Sequence, residues 1–181
     1  MIDDADEHLV EQFLRRRDEG SFRKIYSAHT PHMYSLALRL VAGHREDAED
    51  VVQETWIRAV KNLPRFQWQS RLRTWLCGIL INCYREMRAT RKTWNDLEMD
   101  PASEKEHFDQ SIQLELLLKR LPDGYREVVV LHDIHGYTHA EIGERLGIQP
   151  GTSKSRLFEA RKKLLSWTKG TVVPDSSGGV T

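Results

Sequence analysis

Side chains able to do chemistry fall into three groups in this 181-residue chain. After Pro64, the stretch FQWQSRLRTWLCGILINCYREMRATRK interleaves aromatic rings with arginine and lysine. Basic side chains track a phosphate backbone and aromatic planes offer platforms for unstacked bases, so the pattern suits single-stranded nucleic acid. Phe66, Trp68 and Gln69 precede a predicted helix in a polar stretch and are free to meet a base, whereas Leu76, Ile79 and Leu80 are expected core. A helix whose arginines merely face water explains the same pattern, and both readings can hold at once.

The second group lies near the carboxy terminus, in LPDGYREVVVLHDIHGYTHAEIGERLGIQPGTSKSRLFEARKKLL. Gly147 after the apolar pair Ile142 and Leu146 stops one helix, and Pro150-Gly151-Thr152 starts the next. In that next helix Leu157, Ala160 and Leu164 define a buried stripe. Ser155, Phe158, Glu159, Lys162 and Lys163 therefore face outward, flanked by Lys154, Arg156 and Arg161. Two short helices, a tight turn and a basic helix form the layout of a helix-turn-helix, whose second helix enters the major groove of DNA. The plainer alternative is a solvated amphipathic helix in a bundle.

The third group is His132, His135 and His139, spaced so that imidazoles on a continuous helix can meet around a metal. Gly136 and Tyr137 break that helix, so no metal site is expected. The chain also lacks a phosphate-cradling glycine loop, a nucleophile elbow and a metalloprotease helix motif. Neither catalysis nor a cofactor is expected.

These groups need helices to hold them, and strand signals are poor throughout. One helix is predicted from about Gly20 to Val41, with Phe22, Ile25, Tyr26, Met33, Tyr34, Ala37 and Leu40 at helical intervals, ended by Ala42-Gly43-His44. In the following one, Ala48, Val51, Val52, Thr55, Trp56, Ala59, Val60 and Leu63 repeat at i, i+3, i+4. Asp47, Asp50, Gln53, Glu54, Arg58 and Lys61 are left outside. Spacing alone favours a solvated face over a protein-docking surface for that acidic row.

Net charge is zero, but the zero sums segregated blocks. Residues 1–54 carry −5, 55–95 carry +8, 96–115 carry −6, 116–169 carry +4, and the remainder carries −1. Salt limits each field to about 8 Å, so each basic block can attract phosphates locally. Two separate DNA contacts are expected. Cys77 and Cys83 fit reduced thiols. No apolar run nears the roughly 20 residues that cross a bilayer, and the acidic amino terminus is the wrong flank for a secretory signal. A cytoplasmic location is the expectation.

Three segments, DAEDVVQETWIRAVKNLPRF, RLRTWLCGILINCYREMR and LPDGYREVVVLHDIHGYTHAEIGERLGIQPGTSKSRLFEARKKL, together resemble bacterial RNA polymerase sigma factors of the extracytoplasmic-function (ECF) class, group 4 of the sigma-70 family. The resemblance runs from about Phe22 to Leu165. It implies an all-α fold of two small helical domains, a sigma2-like bundle and a sigma4-like helix-turn-helix, joined by a flexible linker. The implied boundaries are an acidic extension at 1–19, the first domain at 20–92, an acidic linker at 93–111, the second domain at 112–168 and a disordered tail at 169–181.

By resemblance, the first domain docks on the clamp helices of the polymerase largest subunit through Asp47, Asp50, Gln53 and Glu54, which reverses the preference for mere solvation. It captures the melted −10 element with Phe66, Trp68, Gln69, Arg71, Arg73 and Trp75, and with Asn82, Arg85 and Arg88 on the helix behind them. The second domain reads the −35 duplex with Ser155, Phe158 and Glu159, while Lys154, Arg156 and Lys162 suit phosphates, and the implied polymerase contacts include the flap as well as the clamp helices. Three residues depart from the family pattern: Glu159 where a basic residue is expected, Ser153 for valine, and Glu86 for aspartate. Ser153 is expected to loosen core packing slightly. The resemblance further implies an inhibitory anti-sigma partner, which in membrane-bound form would hold the protein at the inner membrane face until a stress or envelope signal. Two alternatives remain at this point: a helix-turn-helix regulator acting without polymerase, and an adaptor whose acidic helix binds protein.

Overall fold

The computed structural model describes residues 4–92 and 110–169. Among the described residues every regular element is helical: α1 (Asp4–Arg16), α2 (Glu19–Leu40), α3 (Arg45–Asn62), α4 (Leu72–Lys92), α5 (Gln110–Arg120), α6 (Asp123–Val129), α7 (His139–Leu146) and α8 (Pro150–Lys169). A 3-10 turn spans Leu63–Arg65, and a π-helical turn over Val130–Ile134 extends α6. The expected linker and tail lie almost wholly outside the described residues.

Local chemistry explains the boundaries. Asp18 caps α2 by accepting from the backbone N–H groups of Gly20 at 3.2 Å and Ser21 at 2.8 Å. The helix stops where Ala42 and Gly43 take positive φ. On α3, Ala48, Val51, Val52, Thr55, Trp56 and Ala59 are all buried, as the spacing predicts. Pro64 sits in the 3-10 turn that ends this helix. Leu72, Leu76, Leu80 and Ile81 of α4 then close the core against α2 and α3. Each fully buried aliphatic side chain contributes about 1.5–3 kcal/mol.

The acidic extension is a helix in its own right. Val10 and Phe13 of α1 are buried, and Asp6 pairs with the buried His29 of α2 at 2.9 Å. Leu9, Val10, Phe13 and Leu14 carried the helical spacing that announces it.

In the carboxy-terminal unit, α7 opens on a capping box. The Thr138 N–H donates to Glu141 Oε2 at 2.8 Å and the Glu141 N–H to Thr138 Oγ1 at 3.3 Å. It closes on Gly147 at φ +67. The turn is tight: a Cβ on Gly143 would stand 2.7 Å from the Ile148 carbonyl oxygen. Ile142, Leu157 and Ala160 hold α7 and α8 together. Ser153 is fully buried between them, but its hydroxyl sits 2.9 Å from His139 Nδ1, so the cost of burying that oxygen is offset.

Both expected units are present, and they are packed on one another. α2 meets α5, α6 and the π turn, while α4 meets α7. Arg126 on α6 is buried and donates to the Leu40 carbonyl oxygen at the end of α2, 3.2 Å from both Nε and Nη2, and to the Leu121 carbonyl oxygen at 2.7 Å. A guanidinium thus satisfies a carbonyl that the α2 terminus leaves open and another just past the end of α5.

Candidate nucleic-acid interface

The outer face of α8 is the most open of the three groups. Lys154, Ser155, Phe158 and Lys162 are exposed, and Phe158 reaches 68%. Glu159 and Arg156 are half-buried, the latter with its guanidinium lying against Gly124 of α6. Arg161 is bound to Asp133, with contacts of 2.6 and 3.1 Å, so it faces the π turn. Ser155 turns its hydroxyl back to the Thr152 carbonyl at 3.0 Å.

The loop before α4 is an aromatic cluster. Phe66 stacks on Trp75 with ring centres 4.7 Å apart and meets Trp68 at 4.8 Å. All three rings are half-buried, while Gln69, Arg71 and Arg73 are exposed around them. Phe66 and Trp68 are therefore less free than their polar neighbours suggested. Trp68 has φ +56, a left-handed backbone that a bulky side chain seldom adopts.

On α4, Asn82 and Arg85 are exposed and Arg88 is half-buried. Arg88 pairs with Glu127 of α6 and stands 3.5 Å from Asp123, and the Tyr84 hydroxyl donates to Glu127 Oε1 at 2.9 Å. Tyr84, Asp123 and Glu127 were not singled out from the sequence. Nothing in their spacing separates them from ordinary helix residues.

The acidic row on α3 needs one correction. Asp50 and Gln53 are exposed and Glu54 is half-buried, but Asp47 is only 6% exposed. It sits buried in the first turn of α3, so it leaves the outward row that the helical spacing gave it. Glu54 bonds Arg58 at 2.6 Å, and Arg58 also grips Glu86 of α4 at 2.6 and 2.9 Å. Hydrogen bonds to Glu86 and Glu54 hold the Arg58 guanidinium firmly protonated, and Arg58 in turn pulls the Glu86 carboxyl down. Glu86 therefore keeps the acidic role of the aspartate expected there. Between α3 and α4 these residues rim a cleft of about 280 Å³, floored by Val51, Cys83 and Met87.

The histidines do not converge. His132 and His139 stack at 4.5 Å, His132 Nδ1 lies 2.8 Å from Asp133, and His135 points away to meet His32 of α2 edge-on at 5.3 Å. Among the described residues no group of three His, Cys, Asp or Glu side chains is arranged to hold a metal ion.

Comparison with known proteins gives this arrangement a family. The Sigma-70 region 2 family matches residues 25–93, which include α3, the aromatic loop and α4, and the Sigma-70, region 4 family matches residues 111–164. The ECF RNA polymerase sigma factor EcfG of Rhodopseudomonas palustris is 34% identical over 151 residues, covering 80% of this chain and 83% of that protein. The chain belongs to the ECF sigma factors. The ECF RNA polymerase sigma factor SigE of Mycolicibacterium smegmatis is 33% identical over 156 residues, covering 80% of this sigma factor and 60% of that relative. The crystal structure of the sigma factor RpoE from Bartonella quintana, in complex with the anti-sigma factor NepR, matches with a TM-score of 0.61 and 26% identity over 82% of this chain and 96% of that one. Family membership favours a polymerase subunit over the stand-alone regulator. No helix among the described residues is long and apolar enough to cross a membrane.

Proposed function

We propose that this sigma factor binds core RNA polymerase and divides promoter recognition between its two units. The exposed Lys154, Ser155, Phe158 and Lys162 face of α8, with Glu159 at its edge, reads the −35 duplex. Arg156 adds a phosphate contact from the same helix. Around the Phe66, Trp68 and Trp75 cluster, Gln69, Arg71 and Arg73 track the melted −10 strand, and Asn82, Arg85 and Arg88 continue that track along α4. Extracting a base from the stack costs a few kcal/mol, which a preformed aromatic site and backbone contacts offset without nucleotide hydrolysis. Asp50, Gln53 and Glu54 dock on the clamp helices. An anti-sigma factor holds the protein inactive until a stress or envelope signal, in the cytoplasm or at the inner membrane face.

The observation that carries this reading is the open basic and aromatic face of α8 in a chain that matches both sigma regions. Transcription in vitro with core polymerase on a randomised promoter library tests it directly. Polymerase-dependent transcripts enriched in two sequence elements are expected, and an absence of transcripts with active core enzyme overturns it.

A further inference from the structure

On α4, the Tyr84 hydroxyl and the Arg88 guanidinium point to one place, and that place is filled. Glu127 of α6 accepts from both through the same Oε1, and Asp123 approaches Arg88 from the side. The Glu127 side chain is 2% exposed. Burial pushes its carboxyl up, against the pull of Arg88 and the Tyr84 hydroxyl. A carboxylate is retained in so dry a site only because its donors satisfy it.

The contact continues along α4. Arg145 of α7 lies over Gly78, where an added Cβ would come within 2.7 Å of its Nη1, and Arg85 reaches to Gly147 at the end of α7. α6 and α7 therefore cover one side of α4 from Gly78 to Arg88, about 15 Å at the helical rise. Arg88 is half-buried on that covered side and Arg85 stands exposed at its edge, whereas the outer face of α8 stays open.

A guanidinium and a phenol converging on one anionic oxygen make the donor set that also grips a nucleic-acid phosphate. We propose that Glu127, supported by Asp123, occupies a phosphate site on α4, so that the conformation seen here is closed: the carboxy-terminal helices exclude the DNA strand until α6 withdraws. The proposal rests on the reading of α4 as a strand-contacting helix. Duplex contact through α8 needs no such withdrawal, so the two promoter contacts differ in availability before any partner binds.

The test uses the full chain carrying K61C and S166C, two exposed positions on α3 and α8, labelled for energy transfer. Cys77 and Cys83 are buried, and burial pushes both thiols up, Cys77 to about 11, so labels go to the introduced sites. E127Q and D123N weaken the contact from the α6 side and leave every donor on α4 intact. E144Q removes the same charge from an exposed position on α7. For E127Q, reduced transfer and about tenfold tighter binding of a fluorescent single-stranded oligonucleotide of mixed sequence are expected, with about threefold for D123N and no opening for E144Q. R88Q should open the molecule and weaken oligonucleotide binding.

Unchanged transfer in folded E127Q and D123N overturns the proposal, as does opening without a gain over E144Q. If E127Q fails to fold by circular dichroism, D123N decides by the same criteria. Capture by core polymerase is measured separately on the same proteins. Opening with tighter oligonucleotide binding but no capture would leave the closed contact standing and remove the sigma-factor reading.

Discussion

The two surfaces proposed to meet the promoter are built in opposite ways. α8 carries the residues proposed to read the −35 duplex on the outside of a helix whose other side makes the core, so Phe158 and Lys162 stand in solvent as the fold forms. The proposed −10 surface is folded in on itself: Phe66, Trp68 and Trp75 pack ring on ring, and Arg88 is tied to the other unit. A duplex offers its groove edges to an exposed helix, whereas an unpaired base needs an apolar pocket, and a pocket that is apolar when empty closes on itself. Readiness for duplex and readiness for single strand are therefore separate properties of one chain.

Parting the two units should have the largest effect. Arg126→Ala strands the Leu40 carbonyl and leaves a gap beneath α2. A loss of about 3 kcal/mol in denaturant unfolding is expected. A loss below about 1 kcal/mol would mean that the joint is weak. On α8 the corresponding substitution is Glu159→Arg. A carboxylate accepts from a cytosine amino group, while a guanidinium suits the two acceptors of guanine, a difference of about 1–3 kcal/mol per base. Preference at one −35 position should switch across a set of single-base promoter variants, with the −10 preference unmoved. Unchanged relative binding would remove Glu159 from the reading face.

Thr138→Ala disables the capping box of α7 and should cost about 1 kcal/mol in unfolding, without the interdomain opening expected of the α6 variants. The last effect is confined to acid pH. Burial, with His32 and Arg39 nearby, pulls His135 down to about 4, against an ordinary value of 6.5. Unfolded chains take up a proton at His135 below pH 6.5 that the folded protein refuses. Its contribution is therefore complete above that pH and lost as pH falls from 6.5 toward about 4. His135→Gln should flatten that part of the stability profile relative to the parent, and identical profiles in the two proteins would refute it.

Much of this was legible in the sequence because periodicity reports burial directly. The buried run of α3, the Gly147 stop and the Leu157 and Ala160 stripe of α8 are found where the helical repeat put them, as are Ile25, Met33, Ala37 and Leu40 of α2, whereas Tyr26 in that same run stands exposed. α1 was passed over as an acidic extension because its charge masked the spacing of Val10 and Phe13. Asp47 was misplaced because a helical wheel sees one helix alone and not what packs on it in the fold. Ser153 was legible as a departure, but its hydrogen bond to His139 was not.

By itself, then, the sequence determined the helices, the buried stripes, the charge blocks and the two units that make this chain a sigma factor, since those follow from residue type and spacing along one axis. Only the tertiary structure decided which charges are free and which are spent on each other. Arg126, Glu127 and Arg88 have the same formal charge in an exposed helix as in a buried joint. What separates the two cases is the loss of water around them, which happens only when two distant segments meet.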